Sequence, residues 1–113
     1  MSTSAKKNKY FLTTDEYHKY IATCKSNIAI RVISTLIHNI EWDMSNCVYI
    51  NTKAMASELD TSTQVIRRSF RMLIEDEAVI RVKNGFMVNP YFVFIGSSEK
   101  NKATCARWHS AKQ

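Results

Sequence analysis

Between Ser62 and Val88 the spacing of apolar residues changes from a helical to a strand period, and this change restricts the fold more than any other feature. Ile66, Phe70, Leu73 and Ile74 lie at offsets of zero, four, seven and eight, so they share one face of a helix. Gln64, Arg67, Arg68 and Arg71 fall on the opposite face. Ser62 is placed to cap this helix, which the spacing carries to about Glu77. Val79–Lys83 then alternates, with Ile80 and Val82 on one side and Arg81 and Lys83 on the other. Asn84-Gly85 follows, a strong short hairpin signal, and Phe86–Asn89 is the return strand. Pro90 cannot donate to a ladder, so pairing should change there. Tyr91–Ile95 reads as a further extended apolar segment ending at Gly96, suited to a core strand or a subunit interface.

The preceding residues supply more helices. Thr13 and Glu16 have capping-box spacing and predict a helix with Tyr17, Tyr20 and Ile21 on one face, ending near Cys24–Ser26. Asn27 is a candidate cap for a helix to about Ile40. Ile28, Ala29, Val32, Ile33, Leu36, Ile37 and Ile40 give it a wide apolar stripe, the mark of a central core helix. Glu41–Asn46 is a polar connection, and Cys47–Ile50 a short strand. Thr52 is placed to cap a short helix to about Leu59, with Ala54, Met55 and Leu59 inward. Asp60-Thr61-Ser62 breaks it with residues that satisfy backbone groups locally.

Helix, helix, strand, helix, tight turn, helix and hairpin is the order of a winged helix-turn-helix, an α+β fold with a small antiparallel sheet. That domain spans residues 13–96. Residues 1–12 are expected to form a flexible basic tail, and residues 97–113 a polar extension able to form a short helix anchored by Trp108.

Charge indicates the partner. The chain of 113 residues carries a formal charge of +6. Residues 61–113 hold nine Lys/Arg against four Asp/Glu, whereas residues 1–60 hold seven against six. A basic second half favours a polyanion, nucleic acid before a membrane surface. Cys24, Cys47 and Cys105 are odd in number and form no C-x-x-C pair. A disulfide framework is therefore not expected, and a reducing compartment, the cytoplasm, is. His18, His38 and His109 do not stand at metal-ligand spacing from those cysteines. No metal, cofactor, catalytic residue or membrane span is expected.

The chemistry of the candidate recognition helix suits double-stranded DNA. Thr61, Ser62, Thr63 and Gln64 sit at its start, where hydroxyls and free amides favour phosphate. Gln64 has the donor–acceptor pair that reads adenine, and Arg67, Arg68 and Arg71 can read guanine or clamp phosphate. Arg81, Lys83 and Asn84 on the wing, and Thr52 and Lys53 on the preceding helix, are placed for backbone contacts. Three arginines on a helix face are by themselves an ordinary solvated surface. Their conjunction with the cap and the hairpin carries the reading. The Glu75-Asp76-Glu77 run is expected away from the groove. Dimerisation through Tyr17, Tyr20 and Ile21, or through Tyr91–Phe94 with Trp108, would match a two-fold DNA site.

The stretch from Ile28 to Gly96 resembles the RepL family of plasmid replication proteins. The resemblance rests on the helix-turn-helix, on Glu75–Arg81, on Asn84-Gly85 and above all on Val88-Asn89-Pro90 through Gly96. It implies a non-catalytic protein of a plasmid or other mobile element that recognises an origin, initiates or controls replication, and recruits host replication proteins. A transcriptional repressor at an operator, or a partition adaptor at a centromere-like site, would use the same residues. A protein-only interaction module is the reading left if no duplex binds.

Overall fold

A computed structural model describes residues 12–40, 45–94 and 98–112. Residues 1–11 of the expected N-terminal tail and the Glu41–Met44 part of the polar connection lie outside the described residues; Leu12, expected in the tail, instead pairs with Phe94 in a short strand.

The elements run β1 (Leu12–Thr13), α1 (Asp15–Thr23), α2 (Asn27–His38), β2 (Cys47–Val48), α3 (Thr52–Glu58), α4 (Thr63–Glu75), β3 (Val79–Val82), β4 (Gly85–Val88), β5 (Val93–Phe94) and α5 (Ser98–Lys112). This is the α+β winged helix-turn-helix. β2, β4 and β3 form an antiparallel sheet in that order, and β1 pairs antiparallel with β5.

The core follows the predicted stripes. Ala29, Val32, Ile33, Leu36 and Ile37 of α2, with Ile40 beyond it, are buried against Ile66, Phe70 and Leu73 of α4. Met55 and Ala56 of α3 and Leu59 after it close the same core; Ala54, expected inward, is exposed. Seven residues make barely two turns, too short for the stripe to be fixed by spacing alone.

Three caps lie one residue from their expected positions. Ser26 caps α2, its Oγ accepting from the Ala29 amide, and Asn51 caps α3, its Oδ1 accepting from the Ala54 amide. In each case two cap-forming residues are adjacent, and the first has the extended backbone that a cap requires. Thr14, not Thr13, caps α1, because Thr13 pairs with Val93 in the β1–β5 ladder. Thr14 also donates through Oγ1 to the Tyr91 carbonyl at 2.7 Å, fastening α1 to the turn after β4. Ser62 caps α4 as expected.

Helices α3 and α4 end alike. Asp60 takes a left-handed φ of 58° after α3, and Glu77 one of 59° after α4. The following amides, Thr61 and Ala78, reach back to the Ala56 and Leu73 carbonyls at 2.9 and 2.8 Å. These are Schellman caps built without glycine. Asn89 then ties the end of α4 to the sheet. Its Nδ2 donates to the Glu77 carbonyl and its Oδ1 accepts from the Tyr91 amide. Tyr91 and Phe92 consequently lie in a turn, while Val93 and Phe94 form a strand; Ile95 and Gly96, the end of the expected extended segment, lie outside the described residues.

Alternation along the three-stranded sheet divides its side chains between two covers. Val48, Val79, Phe86 and Val88 join the helical core. Cys47, Met87, Ile80 and Val82 face the other way and pack with Trp108 of α5, which is 2 % exposed. The sheet is thus a middle layer, with α5 as the outer cover. Burial pushes the Cys47 thiol pKa up. The three cysteines are free, and no described helix is long and apolar enough to cross a membrane.

Asn46 joins the two sheets. Its side chain is 4 % exposed, and Nδ2 donates to the Val88 carbonyl at 3.1 Å and the Val93 carbonyl at 2.9 Å. Its φ of 65° is one that Asn tolerates better than most residues.

Candidate nucleic-acid interface

The turn between α3 and α4 is fixed from three sides. The Schellman cap at Asp60 closes α3, the Ser62 Oγ accepts from the Val65 amide to open α4, and Arg31 of α2 donates to the Leu59 carbonyl at 3.2 Å. Ser62 Oγ therefore serves the cap as an acceptor, and its hydroxyl proton is what it can offer a phosphate. Thr61 and Thr63 beside it are half-buried.

Gln64, Arg67, Arg68 and Arg71 are exposed along α4. They recur at three- and four-residue spacing and form one continuous solvent face. Ser69 behind them is buried, its hydroxyl donating to the Val65 carbonyl. Lys53 is exposed near the start of α3, and Thr52 is half-buried.

The wing meets α4 through stacked rings. Phe70 of α4 and Phe86 of β4 lie 4.0 Å apart between centroids, with planes 4° from parallel. The Arg81 guanidinium sits 5.2 Å from the centroid of Phe86, a cation–π contact. This column holds Arg81 toward α4. Thr52, Arg67, Arg71 and Arg81 accordingly line one open hollow of about 360 Å³, with Phe70, Phe86, Ile74 and Glu75. Among the described residues the one ion pair joins Lys112 to Glu77, so none of these arginines is neutralised by a salt bridge. Arg68 and Gln64 lie outside the hollow.

The acidic run is distributed differently from expectation. Asp76 accepts from the Tyr20 hydroxyl at 2.7 Å, and Glu77 pairs with Lys112 at 2.9 Å. Burial first, and then Asp76, push the Tyr20 pKa up, so that hydroxyl stays a donor. Glu75, expected away from the groove, lines the arginine hollow instead. It stands four residues after Arg71, which on a helix is the same face. The proposed dimer surfaces are also largely used within the chain. Tyr17 and Tyr20 pack on Phe92 with centroids 5.9 and 5.3 Å apart, and Ile21 joins them against the core.

The tip of the wing is shifted by one residue. Val82 pairs with Gly85, so the two turn residues are Lys83 and Asn84, with Asn84 at φ 66°. Gly85 belongs to β4, where a Cβ would be driven into the Val48 carbonyl oxygen and to within 2.8 Å of the Tyr49 ring. The glycine serves close strand approach, while asparagine supplies the left-handed residue. Lys83 and Asn84 do not reach the arginine hollow. They line another, with Tyr49, Val82 and Arg107. Tyr49 and Arg107 were not legible as site residues. The one available signal was that Arg107 precedes the anchor Trp108.

Residues 20–113 match the family described as Firmicute plasmid replication protein (RepL). No curated protein and no solved structure matches the chain. The family match covers most of the sequence, including the helix-turn-helix, the wing, the Asn89-Pro90 turn and α5. The chain belongs to the RepL family of plasmid replication proteins.

Proposed function

We propose that this chain is a non-catalytic, sequence-specific double-stranded DNA-binding protein of a plasmid or other mobile element, acting in replication initiation or its control. The observation that carries the reading is the exposed α4 face of Gln64, Arg67, Arg68 and Arg71, with Arg81 of the wing held toward it by the Phe70–Phe86 stack. A helix presenting such a face enters the major groove, where arginine matches guanine O6/N7 and glutamine matches adenine N6/N7. Thr52, Lys53, Thr61, Ser62 and Thr63 are placed for phosphate, as are Lys83 and Asn84 at the wing tip. Glu75 limits how far a phosphate can enter the hollow, which directs DNA toward the N-terminal part of α4.

The reading includes a cytoplasmic homodimer on paired half-sites and recruitment of host replication proteins. Tyr91, 41 % exposed, is the most accessible part of the surfaces considered for pairing.

Selection of bound duplexes from a random pool, mapped onto the source replicon, tests the reading. Repeated sites beside an origin, with loss of plasmid replication in an Arg67→Ala/Arg68→Ala variant, are expected. Normal replication with altered transcription or unequal inheritance would assign the same face to repression or partition. No enriched site would leave a protein-only interaction module.

A further inference from the structure

The wing has two sides, and the function above uses the side facing α4 and the tip, leaving α5 and Tyr49 on the other side without a role. Arg81 and Phe86 are cross-strand partners facing α4. Cys47, Val82 and Met87 face α5, where Trp108 covers them. At the edge of that second side Tyr49, Lys83, Asn84 and Arg107 surround an open hollow of about 630 Å³. Tyr49 is 50 % exposed, its ring lying over Gly85. Lys83, Asn84 and Arg107 also reach solvent, and among the described residues neither cation is in a salt bridge.

We infer that α5 completes the nucleic-acid interface: Arg107, with Tyr49 and the wing-tip residues Lys83 and Asn84, binds the sugar–phosphate backbone of duplex DNA on the side of the wing away from α4. This inference rests on the DNA-binding reading above. Three features carry it. Two cations and two neutral donors converge on one concave surface, the donor set that phosphate oxygens require. Trp108, seated between the sheet and α5, fixes Arg107 beside the wing instead of leaving it on a loose tail. Cations on both faces of a narrow hairpin suit phosphates passing on both sides of it, as they do at the border of a minor groove. The C-terminal helix thereby becomes part of the binding surface as well as a cover for the sheet.

The test is fluorescence anisotropy with the full chain on a mixed-sequence duplex of about 30 base pairs and on the corresponding single strand, titrated with potassium chloride. Arg107→Ala should weaken duplex binding by roughly threefold to tenfold and lower the salt slope by about 0.9, the loss of one phosphate contact. Lys83→Ala should act similarly, and Arg107→Lys should retain most of the affinity. Lys102 is exposed on the same helix, about 140° around it from Arg107, and Lys102→Ala should leave the duplex slope unchanged. Equal losses in Lys102→Ala and Arg107→Ala would reduce the effect to net charge and overturn the inference. A loss confined to the single strand would overturn the duplex assignment. If Arg67→Ala/Arg68→Ala/Arg71→Ala abolishes binding while Arg107→Ala binds normally, the subsite fails and the α4 reading stands. If the wild-type chain shows no salt-sensitive binding to duplex, both fail.

Discussion

Replacing Asn46 with aspartate changes few atoms but reverses the role of the group. The Asn46 amide nitrogen donates to two carbonyls, Val88 and Val93, at 3.1 and 2.9 Å, and the side chain is 4 % exposed. Each such bond contributes about 0.5–1.5 kcal/mol net, so losing both costs about 1–3 kcal/mol. An ionised aspartate cannot donate, and it places a negative charge against two carbonyl oxygens. A buried charge without a partner typically costs about 3–5 kcal/mol. The introduced carboxylate would escape that cost by binding a proton, which restores one donor. Its folded-state pKa must therefore lie above the unfolded value of about 3.9. Stability of Asn46→Asp, measured against wild type, is then least impaired below that unfolded pKa. The deficit grows by up to about 1.4 kcal/mol per pH unit as pH rises toward the folded pKa, and levels off above it. Asn46→Ala lacks the charge and should show a pH-independent loss of about 2–4 kcal/mol, including the cost of a left-handed alanine. Urea titrations of the three proteins from acid to neutral pH provide the assay. A pH-independent deficit in Asn46→Asp, or a neutral-pH stability within about 1 kcal/mol of wild type, would refute the reasoning.

Other perturbations reach the outer helix, the turn and the arginine hollow. Trp108→Ala should cost about 3–5 kcal/mol in urea titrations and should expose the Cys47 thiol to a disulfide reagent; a loss below about 1 kcal/mol would remove α5 as a structural layer. Asp60→Gly should stabilise the fold by about 0.5–1 kcal/mol, because the left-handed position at the Schellman cap no longer carries a side chain; lower stability would point to a contact made by the Asp60 side chain. Glu75→Gln should strengthen duplex binding by roughly threefold to fivefold at low salt by removing a negative charge from the arginine hollow. Unchanged anisotropy across the salt range would place phosphate away from that hollow.

The parts of the fold legible in sequence are those set by local periodicity. The stripes of α2 and α4 and the alternation of β3 follow from side-chain spacing, and the exposed α4 face follows by complement. Cap positions were legible to within a residue, because Ser26-Asn27 and Asn51-Thr52 each offer two adjacent cap formers. Thr13 was displaced from its capping role by a strand partner eighty residues along the chain, Val93. Long-range partnership also accounts for what was hidden. Nothing near Asn46 in sequence announces Val93, and nothing near Tyr49 announces Arg107. Glu75 was misplaced for a different reason: it was read as one of an acidic triplet, although α4 ends at Glu75 and the cap through Asp76 and the left-handed Glu77 sends the three side chains apart. Asp76 turns to Tyr20, Glu77 to Lys112, and Glu75 to the arginines. The turn at Lys83-Asn84 shows the same limit, since Asn84-Gly85 marks a hairpin but only cross-strand register fixes which residues form its corner.

The central claim is that the arginine face of α4 holds DNA. The most direct measurement is anisotropy of the wild-type chain and an Arg67→Ala/Arg68→Ala/Arg71→Ala variant on the duplex enriched by selection, across a salt series, with circular dichroism confirming that both are folded. Affinity of the wild type should fall steeply with salt. The variant should lose at least a hundredfold in affinity, roughly the sum of about 1–3 kcal/mol for each base-reading arginine, and show a shallower salt slope. A folded variant that binds the same duplex with wild-type affinity and slope would contradict the claim.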